Sequence, residues 1–177
     1  MEPGGATAAD LIDALAARDE TLATAESLTG GLLAATIVDV PGASAVFRGG
    51  LVVYATDLKA TLAGVPTDLL EARGPVDPDV AAALADGAAR TCGATWGIGT
   101  TGVAGPTPQD GIAVGTVFVA VAGPNRAIRR LALDGGRPEI RVATVEAALR
   151  LIWECVTGGR AGTAGAGHWV QERRNSE

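Results

Sequence analysis

The stretch TLATAESLTGGLLAATIVD, residues 21–39, joins a strand, a tight turn and a helix without a break. Residues 21–26 are short-chained and mostly apolar and include two threonines, a pattern typical of a strand. Gly30 and Gly31 permit a tight turn, and residues 32–39 carry apolar side chains at helical spacing. A strand that leads directly into a helix is the unit from which α/β proteins are built, so this stretch indicates an α/β fold.

The flanking sequence continues to alternate helical and strand patterns. Further helices are predicted over residues 7–18, 57–63, 67–72, 77–92 and 138–156, with Thr56 as the cap of the helix over 57–63. Further strands are predicted over residues 47–54, 94–101, 114–122 and 127–133; the first is expected to be buried and the last two to pair as a hairpin. We therefore predict a three-layer α/β/α sandwich with a mixed, mostly parallel sheet.

Length and composition limit the classes to which the protein can belong. The 177 residues, 47% of them hydrophobic, suit one domain with a sizeable core, predicted over residues 1–157. Residues 158–177 are rich in Gly, Ala, Arg and Glu and are predicted to form a flexible C-terminal tail. The net charge of −6 offers no broad basic surface, so nucleic acid is not an expected partner. The absence of a leader-like or membrane-length apolar run predicts a cytoplasmic protein without membrane contact.

Lys59 is the chain's only lysine and follows the only tyrosine, Tyr54, by five positions. Arginine serves wherever a fixed charge suffices, but only a lysine in a desolvated site can lose its proton and act as a base. Ser27 is predicted at the carboxyl end of a strand, and the only histidine, His168, falls in the predicted tail. We therefore infer a Ser-Lys pair in which the Tyr54 phenol assists. The alternatives are a lysine on a solvated helix and a serine that merely caps one.

An oxyanion formed at Ser27 would need hydrogen-bond donors. The sequence offers the backbone amides at the start of the helix after Ser27, those from Gly102 to Gly105, and the hydroxyl of Thr101. The alternative is a glycine-rich turn that binds no ligand. Metal chemistry is not expected, since no His, Cys and carboxylate cluster has the spacing of metal ligands.

A series of short motifs resembles the C-terminal domain of the CinA family. The motifs are TAESLTGG at 24–31, VPGAS at 40–44, Tyr54 with Lys59, GVP at 64–66, GPV at 74–76 and TGVAGP at 101–106. Their order and spacing resemble the family over residues 6–157. The resemblance implies a stand-alone form of this domain.

The resemblance also implies an activity, the hydrolysis of the carboxamide of nicotinamide mononucleotide to nicotinate mononucleotide and ammonia. It implies a small-molecule nucleotide substrate, a homo-oligomer, and no metal or organic cofactor. The family's catalytic serine, lysine and tyrosine match Ser27, Lys59 and Tyr54. The motifs, together with two arginines near the start of the last helix, give the candidate substrate-binding residues Glu26, Thr29, Gly30, Gly31, Ser44, Thr101, Gly102, Gly105, Arg137 and Arg141.

Two alternatives to this activity stay open. Residues 107–113 form a shorter segment than the family pattern and lack its lysine, so a different small amide could be the substrate. A non-catalytic nucleotide-binding module with the same fold is the other alternative.

Overall fold

A computed structural model describes residues 7–158 and 170–172. Six α-helices lie within these residues: α1 (Ala8–Ala16), α2 (Leu32–Val38), α3 (Thr56–Thr61), α4 (Thr67–Arg73), α5 (Pro78–Cys92) and α6 (Arg137–Thr157). The strands described are β1 (Leu22–Glu26), β2 (Phe47–Val52), β3 (Trp96–Gly102), β4 (Thr116–Ala122), β5 (Ala127–Ala132) and β6 (Val170–Glu172). A short 3₁₀ helix, Ala43–Ala45, precedes β2.

The strands form one mixed sheet with the order β2-β1-β3-β4-β5-β6. β1 lies parallel to both β2 and β3, while β4 lies antiparallel to β3 and to β5. α5 packs across β1, β3 and β4 on one face of the sheet, and α1, α2 and α6 pack together on the other. The predicted three-layer α/β/α sandwich and the predicted hairpin of β4 and β5 are confirmed.

Glycines in β3 set the distance between α5 and the sheet. A Cβ at Gly97 or Gly99 would collide with the backbone carbonyl oxygens of Ala85 and Ala81, respectively. The helix can therefore lie directly against the strand, as expected of a core built from small residues. This close packing holds β3, and the residues that follow it, in a fixed position beside β1.

Two local predictions around β2 were wrong. The strand was expected to be buried and to end at Tyr54, but it lies at the edge of the sheet, its residues alternate between half-buried and exposed, and it ends at Val52. Thr56 was expected to cap α3, but it is the first helical residue, and Ala55 occupies the cap without a side-chain hydrogen bond. An edge strand is paired on one side only, which is why it follows the alternating pattern rather than the continuously apolar one.

The predicted tail, with His168, falls mostly outside the described residues. Within it the structure describes β6, which pairs in parallel with β5 and which the sequence did not lead us to expect. Among the described residues, no helix combines the length and apolarity that a membrane span requires.

Candidate active site

The candidate site lies where β1, β2 and β3 end, because the three parallel strands bring their carboxyl ends to one edge of the sheet. Glu26 is in register with Val52 of β2 and with Thr100 of β3. The residues that follow these three are Ser27, Val53 and Thr101, and they therefore lie side by side at this end of the sheet. A cavity of about 320 Å³ occupies the edge, and its lining includes Ser27, Leu28, Tyr54, Thr56, Lys59, Thr101, Gly102, Ala104, Gly105, Thr107, Pro108, Gln109 and Arg137.

Lys59 and Ser27 are in direct contact at the floor of this cavity. The Lys59 side chain is 1% exposed, and its Nζ lies 3.0 Å from Ser27 Oγ. Two backbone carbonyl oxygens complete its surroundings, that of Val53 at 2.8 Å and that of Tyr54 at 3.3 Å. A neutral amine can donate two N–H groups to the two carbonyls and direct its lone pair at the serine hydroxyl.

Burial lowers the pKa of Lys59 from 10.5 to about 8. No carboxylate in the described part of the chain forms an ion pair with its ammonium group, so no opposite charge offsets the cost of desolvating it. With this pKa, roughly a tenth of the molecules carry a neutral Lys59 at pH 7. The amine is therefore available as a proton acceptor near neutral pH.

The structure corrects the role predicted for the Tyr54 phenol. The side chain is 58% exposed, and its hydroxyl accepts a hydrogen bond from Arg137 Nη2 at 2.7 Å. Consecutive residues of an extended chain point in opposite directions, so with Val53 directed into the core, Tyr54 is directed outward. It is the backbone carbonyl of Tyr54, not its phenol, that holds the lysine amine.

Glu26, predicted to bind substrate, is instead an internal cap of α2. Its carboxylate is 1% exposed and accepts hydrogen bonds from the amides of Gly31 at 3.0 Å, Leu33 at 3.0 Å and Ala34 at 2.8 Å. Glu26 points to the face of β1 opposite to Ser27, since adjacent strand residues alternate. The start of α2 is thus occupied by a carboxylate of the chain itself.

Replacing Glu26 with glutamine is expected to lower the free energy of unfolding by about 2–4 kcal/mol, because one carboxylate oxygen becomes an NH₂ group that faces backbone donors. Urea unfolding followed by circular dichroism measures the change. Glu20→Gln is the matched control, because Glu20 accepts one bond, from Trp96 Nε1, which a glutamine oxygen can also accept. A loss for Glu26→Gln no larger than that for Glu20→Gln would contradict the capping role.

Four other predicted substrate-binding residues also lie outside the cavity. The Thr29 hydroxyl is buried against that of Thr100 at 2.8 Å. Gly30 and Gly31 form the turn before α2 with φ of 58° and 95°. Ser44 precedes β2, which is parallel to β1. It therefore lies near the amino-terminal ends of the strands, and the cavity lies at their carboxyl ends.

Of the two arginines, only Arg137 lines the cavity. Arg141 donates to the carbonyls of Leu28 at 3.0 Å and Thr29 at 2.8 Å, so its guanidinium supports the turn after Ser27. Arg137 Nη1 donates to the Gly105 carbonyl at 2.8 Å while Nη2 contacts Tyr54, so this side chain bridges the two sides of the cavity mouth. Thr101, Gly102 and Gly105 line the cavity, and their binding of substrate stays a prediction.

The donors available to an oxyanion differ from those predicted. The Thr101 hydroxyl donates to the Pro75 carbonyl at 2.6 Å and is therefore already committed. Leu28 and Ala104 line the cavity, and within the described ranges their amides donate to no protein acceptor. Residue-based reasoning missed the Val53 carbonyl and the Leu28 amide as individual site groups, because backbone groups carry no signature in the sequence.

The charge of the cavity contrasts with that of the chain. Among the described residues that line it, Lys59 and Arg137 are the cations and none is acidic, although the whole chain has a net charge of −6. Among residues 7–158 and 170–172, no group of three His, Cys, Asp or Glu side chains could hold a metal ion. The cavity therefore suits a small anionic ligand and a reaction of a serine with a lysine base.

Comparison with known proteins agrees with this architecture. The family model described as the CinA C-terminal domain matches residues 5–156. A CinA-like protein from Frankia casuarinae is 51% identical over 145 residues, which cover 81% of this chain and 34% of that protein. The chain thus spans about a third of the length of the curated relatives it matches.

Two solved structures share the fold. The competence/damage inducible protein CihA from Agrobacterium tumefaciens is 34% identical with a TM-score of 0.80, and the match covers 84% of this chain and 92% of that one. A CinA superfamily protein from Klebsiella pneumoniae is 27% identical with a TM-score of 0.82 and covers 85% of this chain and 96% of its own. The sheet, the serine and lysine at its edge and these matches together lead to one assignment. The chain belongs to the CinA C-terminal domain family.

Proposed function

We propose that this domain hydrolyses the carboxamide of nicotinamide mononucleotide to nicotinate mononucleotide and ammonia. The observation that carries the proposal is the buried Lys59 amine, 3.0 Å from Ser27 Oγ. A serine needs an adjacent base to become a nucleophile, and the lowered pKa makes this amine such a base. Two observations support this choice of substrate: the resemblance of the chain's motifs to the CinA C-terminal domain, and the positive charge of Lys59 and Arg137 in the cavity lining.

The reaction proceeds in two halves. Lys59 takes the proton of the Ser27 hydroxyl as the serine oxygen bonds to the amide carbon, and the amides of Leu28 and Ala104 can donate to the resulting oxyanion. The Lys59 ammonium then gives its proton to the amide nitrogen, the C–N bond breaks and ammonia leaves. Lys59 then takes a proton from water as the water oxygen attacks the acyl-serine ester, and the Lys59 ammonium returns this proton to the departing Ser27 oxygen as the acid is released.

The charge of the cavity supports a nucleotide over an uncharged amide. Its volume of about 320 Å³ falls at the lower end of the range for small-ligand sites. Arg137 lines the cavity and is the side chain that we expect to contact the substrate phosphate, because guanidinium groups bind phosphates well. Residues 107–109 add neutral side chains to this rim and no competing negative charge.

An ammonia-release assay on nicotinamide mononucleotide, nicotinamide riboside and nicotinamide tests the proposal. We expect turnover of the mononucleotide with a kcat/KM about 10²-fold above that of the riboside, because only the mononucleotide carries the phosphate. Binding of the mononucleotide without ammonia release would contradict the proposal and favour a non-catalytic module. Faster turnover of an unrelated small amide would likewise contradict the substrate assignment.

The pH dependence of kcat/KM is expected to report the pKa of Lys59. Only the neutral amine can accept the serine proton, so the rate should rise about tenfold per pH unit below pH 8 and level off above it. The fold is not expected to weaken over the same range. Because the folded pKa of about 8 lies below the ordinary 10.5, the unfolded chain binds more protons between these values, and this residue's contribution to stability increases with pH. Initial rates from pH 6.5 to 9.5 measure the profile, and a flat or falling profile would contradict the role of Lys59 as base.

A further inference from the structure

Thr101 stands beside the nucleophile on the neighbouring strand. The Ser27 amide donates to the Thr100 carbonyl at 3.1 Å, which continues the parallel pairing of β1 and β3 by one residue beyond Glu26 and Thr100. Ser27 and Thr101 therefore occupy matching positions on adjacent strands and share the face of the sheet that α5 covers. Both line the cavity, with Lys59 on the side of Ser27 that faces β2.

The Thr101 hydroxyl can only accept a hydrogen bond from a ligand. Its oxygen lies 2.6 Å from the Pro75 carbonyl oxygen, and a carbonyl cannot donate, so the hydroxyl proton lies between these two atoms. The side chain is 1% exposed, so turning the proton toward another acceptor would leave the Pro75 carbonyl without this bond in a place that bulk water does not reach. A molecule in the cavity can therefore form a hydrogen bond with this oxygen only by donating a hydrogen to one of its lone pairs.

We propose that Thr101 is the residue that selects an amide over the corresponding acid, by accepting a hydrogen bond from the substrate's NH₂ group. This inference rests on the proposed function, since it assigns a contact to the leaving group of that reaction. A carboxamide NH₂ supplies the N–H that the oxygen requires. A carboxylate oxygen in the same place has no hydrogen to donate, so its lone pairs would repel those of the Thr101 oxygen. The acid product is therefore bound less tightly than the amide and is released.

The same contact orients the leaving group during the first half of the reaction. With one N–H held by Thr101, the nitrogen lone pair that develops in the tetrahedral intermediate is free to take the proton from the Lys59 ammonium. The C–N bond then breaks and ammonia leaves, and Ser27 retains the acyl group. Thr101 neither gives nor takes a proton in this step.

Binding to an inactive protein tests the inference without relying on turnover. In Ser27→Ala, calorimetry gives the dissociation constants of nicotinamide mononucleotide and of nicotinate mononucleotide, before and after Thr101→Val is added. We expect Thr101→Val to weaken binding of the amide about tenfold and to leave binding of the acid unchanged or tighter. Thr101→Ser, which keeps the hydroxyl, should retain the preference of the parent.

Thr100→Val is the matched control. Thr100 is equally buried and adjacent in sequence, but its hydroxyl pairs with Thr29 on the other face of the sheet. This variant loses a buried hydrogen bond of the same kind and should leave the ratio of the two dissociation constants unaltered. A shift in the ratio of similar size in Thr100→Val would overturn the inference, because it would show a general effect of loosening β3.

The outcomes separate this inference from the proposed function. If the wild-type protein releases ammonia but Thr101→Val does not change the ratio of the dissociation constants for the amide and the acid, only the inference is overturned. No ammonia release, with a ratio that Thr101→Val shifts about tenfold, overturns the proposed function and supports the inference. Failure of Ser27→Ala to bind either nucleotide, together with no ammonia release by the wild-type protein, overturns both.

Discussion

Lys59→Arg is expected to lower kcat/KM for ammonia release from nicotinamide mononucleotide by about 10³-fold or more, although the variant keeps the positive charge. A guanidinium does not lose its proton under conditions in which the protein is folded, so it cannot accept the proton of Ser27. The site is also shaped for one small nitrogen, with acceptors at 3.0, 2.8 and 3.3 Å from Nζ. Initial-rate kinetics on the purified variant measure the loss.

Lys59→Met is the companion variant, because the larger guanidinium can disturb a side chain that is 1% exposed. Methionine keeps the length of the side chain and removes both the amine and the cost of burying its charge, so this variant should fold at least as well as the parent. Thermal unfolding confirms the fold, and the same loss of activity is expected. Activity in either variant within tenfold of wild type would contradict a mechanism in which Lys59 is the base.

Ser27→Ala is expected to lower kcat by about 10³-fold or more, because it removes the atom that bonds to the amide carbon. The residual oxyanion donors and the rest of the cavity stay in place, so binding of the mononucleotide should persist. Ser44→Ala is the matched control. Ser44 lies in the 3₁₀ helix near the opposite edge of the sheet, and its loss should leave kcat unchanged.

A trapping experiment distinguishes Ser27 as nucleophile from Ser27 as a group that positions water. With hydroxylamine present, an acyl-serine intermediate is intercepted and yields the hydroxamate of the nucleotide, in competition with the acid. We expect wild type and Ser44→Ala to form the hydroxamate and Ser27→Ala to form none. Hydroxamate formation by Ser27→Ala at the wild-type rate would contradict covalent catalysis through this residue.

Several features of the site follow from strand alternation, which is readable in the sequence. Consecutive residues of β1 face opposite sides of the sheet, so Glu26 and Ser27 cannot both enter one cavity. The same rule separates the outward phenol of Tyr54 from the inward Val53. Assigning whole motifs to the site overlooked this rule, which is why Glu26 was assigned to the substrate and the Tyr54 phenol to Lys59.

Other features depend on contacts that no local pattern contains. Arg141 is separated from Leu28 by more than a hundred residues, and only the packing of α6 beside the turn shows that its guanidinium binds backbone carbonyls there. Ser44 lies far from the cavity because β2 runs parallel to β1, which places the start of β2 at the other edge. The partner of the Thr101 hydroxyl, the Pro75 carbonyl, comes from the segment before α5.

The amino-acid sequence by itself determined the alternation of strands and helices, the family motifs, and the choice of Ser27 and Lys59 as reactive groups. These are properties of residue type and short-range spacing, and they do not depend on tertiary contacts. The tertiary structure decided that β1, β2 and β3 are neighbours and that Lys59 is buried against Ser27 with its pKa lowered to about 8. It also decided that the Thr101 hydroxyl donates to the Pro75 carbonyl, because desolvation and hydrogen-bond direction depend on atoms that distant segments supply.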